Sequence, residues 1–137
     1  MAAVFEWPLR VYIEDTDAGG IVYYVNYLKF IERARTEYLR NLGFGKDFIF
    51  NNDLMFVVHS INCAYQKPAR LDDQLLATAS IVEMGKTFML MEQKVYRPSG
   101  LSLDNELLFT AAVKVACVNR NTIKPQRIPQ PLLLALQ

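Results

Sequence analysis

Apolar and polar positions change rhythm within the first third of the chain. From Phe5 the period is two. Phe5, Trp7, Leu9, Val11 and Ile13 fall on one face and Glu6, Arg10, Tyr12 and Glu14 on the other, which predicts a half-buried strand. After Asp15-Thr16-Asp17-Ala18-Gly19-Gly20 and the segment Ile21 to Val25, the period becomes 3.6. Tyr27, Ile31, Ala34, Tyr38 and Leu42 form an apolar stripe flanked by Leu28 and Leu39, while Lys29, Arg33, Glu37 and Arg40 lie mostly away from it. Asn26 fits an N-cap and Gly43 a left-handed C′ residue. The helix so bounded would run about 25 Å, enough to cover one face of a sheet.

Period two then returns. Leu54 to Gln66 is expected as a strand with Val57, His59, Ile61, Cys63 and Tyr65 on one face, stopped by Lys67-Pro68 because proline has no N–H for the ladder. Arg70 to Asp73 is a polar turn. Gln74 to Met84, with Leu75, Ala77, Ala79 and Ile81 inward, is joined by Gly85-Lys86-Thr87 to a strand from Phe88 to Tyr96, as in a hairpin. A loop from Arg97 to Asn105 leads to Leu107–Val118, whose apolar face runs Leu107, Phe109, Ala111, Val113, Val115 and Cys117. The proline-containing tail carries a short apolar run, Leu132 to Leu136, able to dock but too short to stand alone. One strand, one long helix and four strands give an α+β protein with the helix on one face of a largely antiparallel sheet.

Composition adds limits. At 137 residues, with no linker or repeat, the chain is expected to be a single domain over 1–137, and 52% hydrophobic residues against 21% charged ones exclude a disordered chain. A net charge of +1 provides no global field for nucleic acid. Cys63 and Cys117 both fall in strand patterns, as buried thiols of a reducing compartment do, and two cysteines with one histidine make no metal motif. The start, Met1 to Arg10, has no basic segment followed by an apolar one, and no run approaches the ~20 apolar residues of a membrane span. A cytoplasmic protein without metal or cofactor is the expectation.

Several motifs carry a resemblance over nearly the whole chain, in order: Glu14-Asp15-Thr16-Asp17-Ala18-Gly19-Gly20, Val22-Tyr23, Asn26-Tyr27, Glu32-Arg33-Ala34-Arg35-Thr36-Glu37, Pro68-Ala69-Arg70-Leu71-Asp72-Asp73 and Val115-Ala116-Cys117-Val118. The sequence resembles the hotdog-fold acyl-CoA thioesterases of the 4-hydroxybenzoyl-CoA thioesterase type, above all the acyl-CoA thioester hydrolases associated with the Tol-Pal cell-envelope system. The resemblance implies an antiparallel sheet curled around the central helix. It also implies subunits paired edge to edge, commonly as dimers of dimers, and hydrolysis of acyl-CoA to free CoA and a carboxylic acid.

It further implies that Asp17 is the catalytic carboxylate, as nucleophile or as general base, and that a backbone N–H at Tyr24 polarises the thioester carbonyl. Gly19 and Gly20 belong to the same oxyanion turn. By residue type alone, Asp17 before the glycines would only cap a turn, and Asp15 is expected to have hydrogen-bond duty. The Tol-Pal-associated branch usually has histidine where this chain has Tyr24, whereas the 4-hydroxybenzoyl branch has tyrosine. That puts both rate and acyl class at issue, because a phenol with a pKa near 10 is a poorer base than imidazole. His59 lies outside the motif, and no Gly-x-Ser-x-Gly elbow is present. Arg70 and Lys86, in turns at strand ends with Lys67 nearby, are candidate ligands for CoA phosphates, the competing reading being a solvated rim. Glu32 is a reserve acid.

A second functional class fits the same residues: a non-catalytic acyl-CoA or acyl-carrier binding protein on this scaffold, linked to envelope or phospholipid synthesis. A dehydratase is a third.

Overall fold

The computed structural model describes residues 4–99 and 105–136, so most of the loop expected between Arg97 and Asn105 lies outside the described residues. The period-two segments form one antiparallel sheet: β1 (Phe5–Arg10), β2 (Leu54–Tyr65), β3 (Gln74–Met84), β4 (Phe88–Arg97) and β5 (Glu106–Asn119). Their order is β1-β3-β4-β5-β2. The period-3.6 segment is α1 (Asn26–Asn41); of two short helices, α2 (Lys46–Asn51) lies between α1 and β2 and α3 (Gln130–Leu136) follows β5.

Helix α1 lies on the inner face of the sheet, over β1, β3 and β4. Phe30, Ile31 and Ala34 are wholly buried there, with Tyr27 and Tyr38 nearly so. Alanines at 77 and 79 of β3 have no exposed surface, and their small side chains let the helix approach the strands closely. Tyr27 stacks on Phe109 near one end of the helix and Tyr38 stacks on Phe5 near the other, with centroids 5.1 and 5.6 Å apart. The stripe read from the sequence is present, and Phe30 broadens it. The helix ends as expected: Gly43 has φ +89°, its N–H donates to the Arg40 carbonyl, and the Phe44 N–H reaches the Leu39 carbonyl. Those two bonds are a Schellman closure.

Four local expectations need correction. Ile13 is not inward: it is 77% exposed in a 3-10 turn over Ile13–Asp15. Pairing stops because the Val11 N–H turns to the Asp73 carbonyl and the buried Asp15 carboxylate takes the Tyr12 N–H at 2.8 Å. Asn26 is not the N-cap. Val25 precedes the helix, and the Asn26 amide donates instead to the Asp15 carbonyl at 2.8 Å. In β2, a shift of register between Val58 and Ser60 places a bulge at His59. Phe56 and Val58 then oppose inward Cys117 and Val115, so Val57 and His59 do not share the face of Ile61, Cys63 and Tyr65. A second bulge between β4 and β5 buries Leu108 rather than Leu107.

The helix covers only part of the sheet. Beside the C-terminal half of α1, over β4, β5 and β2, lies a cavity of about 460 Å³, floored by Met89, Met91 and Val115 and walled by Tyr38, Phe56 and Leu136. Exposed Phe50 and Val58 stand at its mouth. The apolar tail docks as expected, burying Leu132 and Leu136 of α3.

Candidate active site

The loop from Thr16 to Val22 is a tight hairpin between β1 and α1. Thr16 pairs with Val22, the Asp17 N–H donates to the Ile21 carbonyl at 2.9 Å, and the Gly20 N–H donates to the Asp17 carbonyl at 3.1 Å. Gly20 has φ +79°, where a side chain would strain the turn. Gly19 donates its N–H to Asp17 Oδ1 at 2.8 Å, and a Cβ on Gly19 would come within 3.3 Å of that oxygen. Asp17 therefore makes the capping contact its sequence context suggested, yet it remains exposed to solvent, and among the described residues its Oδ2 meets no donor.

This hairpin is tied to the turn after β2. Ile21 pairs with Arg70, and the Val22 N–H donates to the Ala69 carbonyl at 2.9 Å. The Ala69 N–H in turn donates to the Tyr27 hydroxyl at 2.9 Å, and burial raises the pKa of that phenol. Asp73 Oδ2 accepts the Arg70 N–H at 2.8 Å and the Arg97 guanidinium at 2.6 Å. Arg97 also grips Glu106 at 2.7 Å, and Lys67 pairs with Glu106 at 3.0 Å. Lys67 is thus committed to an ion pair. Bonds to Lys67 and then Arg97 hold the Glu106 carboxyl below its ordinary pKa.

The start of α1 completes the site. The Asp15 carbonyl accepts both the Tyr23 N–H at 3.0 Å and the buried Asn26 amide, clamping the hairpin to the helix. Asp15 therefore has the structural duty expected of it. Tyr24, 59% exposed, points its ring between Tyr23 and Tyr65, with centroids 5.0 and 6.1 Å away. Its carbonyl accepts the Tyr65 hydroxyl at 2.9 Å, and among the described residues its N–H meets no acceptor. A free N–H at the positive end of a helix is suited to a developing oxyanion.

Asp17, Gly19, Gly20, Tyr24 and Arg70 thus gather at one end of the sheet. Lys86 does not join them in this subunit. It sits at the other end of β3, roughly 30 Å away at ~3.3 Å per residue. His59 is exposed on the β2 bulge, and Glu32 lines the cavity rather than the hairpin. Glu37 pairs with Arg40. Tyr65, Asn26 and the Arg97–Asp73 pair escape a reading by sequence because strand-end and turn residues show no periodic signal of what lies across space. The thiols are free, and burial pushes the Cys117 thiol up to about 11. Among the described residues no group of three His, Cys, Asp or Glu side chains is placed to hold a metal ion, and no helix is long and apolar enough to cross a membrane.

One long helix packed on a curled five-stranded antiparallel sheet is the architecture of the hotdog-fold thioesterases. The chain belongs to the thioesterase superfamily, whose model matches residues 19–103. It is 42% identical over 132 residues to the acyl-CoA thioesterase YbgC of Haemophilus influenzae, covering 96% of this chain and 93% of that protein. It is 40% identical over 130 residues to the acyl-CoA thioester hydrolase YbgC of Escherichia coli O6:H1, covering 95% and 93%. The crystal structure of a probable thioesterase from Bartonella henselae superposes with a TM-score of 0.83 at 34% identity, over 93% of this chain and all of that one.

Proposed function

We propose that residues 1–137 form one catalytic domain that hydrolyses acyl-CoA thioesters to free CoA and a carboxylic acid. The observation that carries this is the exposed Asp17 carboxylate in the turn that leads into α1, where among the described residues the Tyr24 N–H meets no acceptor. The thioester carbonyl oxygen accepts the Tyr24 N–H, which stabilises the negative charge that develops on it. Asp17 Oδ2 either attacks the carbonyl carbon, giving an anhydride that water then opens, or takes a proton from the attacking water. In both routes the C–S bond breaks and the thiolate of CoA leaves. Gly19 and Gly20 hold this geometry.

The assembly is part of the proposal. β2 and β1 are the sheet edges, and Pro8 blunts β1, whereas β2 offers 12 residues without proline and exposes Val58, Ile61 and Tyr65. Two copies pairing antiparallel along β2 set the Asp17 end of one beside the cavity end of the other, and the cavity receives the acyl chain. The same pairing brings the Lys86 end of one copy towards the Arg70 end of the other, where CoA phosphates would lie. A dimer of such dimers, working in the cytoplasm beside the Tol-Pal system and taking acyl groups from CoA or an acyl carrier protein, follows the resemblance.

Free-thiol release from short, medium, long and aromatic acyl-CoAs tests the reading, with Asp17→Asn beside wild type. The variant keeps the Gly19 contact and is expected to lose on the order of 10³-fold in kcat. Near-normal turnover would remove Asp17 from the chemistry. Tyr24 in place of the branch's histidine favours one other reading, a non-catalytic acyl-CoA binding protein. Calorimetric binding without thiol release on any substrate would select it.

A further inference from the structure

The carbonyls around the start of α1 are satisfied in two different ways. Those of Tyr23 and Val25 accept N–H groups from their own helix, from Asn26 at 2.8 Å and Leu28 at 3.0 Å. The Tyr24 carbonyl between them accepts the Tyr65 hydroxyl, from the last residue of β2 and 41 residues away in sequence. That phenol is held from several sides. It lies edge-on to Tyr27 at 5.5 Å and tilted on Phe109 at 5.1 Å, and it pairs with Phe109 across the sheet. Partial burial, with the neighbouring Cys63 thiol, raises its pKa above that of an ordinary phenol.

We propose that Tyr65 is a positioning residue for thioester hydrolysis, its hydroxyl fixing the Tyr24–Val25 peptide and through it the direction of the Tyr24 N–H. The inference rests on the role of Tyr24 proposed above. The Tyr24 N–H is bracketed by three holds: Asp15 on the Tyr23 N–H, Asn26 on the Tyr23 carbonyl, and Tyr65 on the Tyr24 carbonyl. Only the third comes from a distant strand, β2. Without it, the peptide that carries the Tyr24 N–H keeps only the Asn26 bond to its Tyr23 carbonyl, and the Tyr24–Val25 peptide loses its side-chain hold, so the N–H samples a wider range of directions. Tyr65 also terminates the edge strand, so the site's geometry answers to the seating of β2. A donor that stabilises charge only in the transition state acts on kcat rather than on substrate binding.

Tyr65→Phe removes one oxygen and keeps the ring packing. The expected result is a kcat for acyl-CoA reduced about ten-fold or more, with KM within about two-fold of wild type. The melting temperature and elution volume should be unchanged, and amide hydrogen exchange should quicken at Asn26, whose N–H holds the Tyr23 carbonyl of the same turn. Tyr65→Leu, which loses the ring as well, should lower the melting temperature, separating packing from hydrogen bonding. Unchanged kcat in Tyr65→Phe, or a matching rise in KM with a fall in melting temperature, would overturn the assignment. If wild type hydrolyses no acyl-CoA, the thioesterase reading fails. The exchange rate at Asn26 still decides whether Tyr65 holds the turn, and unchanged exchange would sink that too.

Discussion

The proposed sharing of the site between two copies can be tested by dividing its two halves between two polypeptides. Asp17→Asn removes the carboxylate from one copy. Val115→Phe, on the floor of the cavity, places an aromatic ring where the acyl chain would run. A cavity of about 460 Å³ has room for on the order of ten to fifteen methylene-sized groups at ~30 Å³ each. Each methylene buried contributes about 0.8 kcal/mol, close to four-fold in kcat/KM, so octanoyl-CoA should outrun butyryl-CoA by roughly two orders of magnitude. A benzoyl group would leave most of the space empty. Val115→Phe should therefore lose the advantage of decanoyl-CoA and keep butyryl-CoA turnover, which also shows that it folds. Co-expression with differently tagged copies gives mixed pairs as about half of all dimers, each with one intact site of two, so decanoyl-CoA activity should return to about one quarter of wild type. Activity no greater than the parents' average would refute the reasoning, because it would mean that the cavity does not serve a partner's Asp17.

Two further predictions concern the frame. Gln93 is wholly buried and accepts Arg35 Nη1 at 2.9 Å while donating to the carbonyls of Ile31 and Thr78. Gln93→Met should cost about 3 kcal/mol, because a largely desolvated guanidinium loses its partner, and adding Arg35→Met should recover part of that cost in urea unfolding; strict additivity of the two would contradict it. Glu106 has its folded pKa held below the ordinary carboxyl value of 4.5, so its stabilising contribution is present above that value and is lost as pH falls through the lower, folded one. Urea midpoints of wild type should thus fall more steeply than those of Glu106→Gln in acid below the ordinary carboxyl range, and parallel curves would count against the ion-pair frame.

The sequence by itself determined the layers and the position of the turn from Asp17 to Gly20. Period two and period 3.6 are properties of neighbours along the chain, so the strands, the long helix and Gly43 at its end were legible, and the Asp17-to-Gly20 turn carried its own signature. Boundaries were lost where a side chain captured a backbone group that the pattern assigned elsewhere. Asp15 ends the first strand early and turns Ile13 outward, and the Asn26 amide crosses to Asp15 instead of capping its helix. The bulge at His59 cannot be read from alternation, because one extra residue exchanges the faces without changing the composition. Tertiary structure alone decided what meets the site. It joined Tyr65 to the Tyr24 carbonyl and braced Asp73 with Arg97. It also sent Lys86 to the far end of β3 and moved the open cavity away from Asp17 to the half of the sheet that α1 leaves uncovered. Such contacts depend on strand order and register, which hydrogen bonding and packing fix only once the whole sheet has formed.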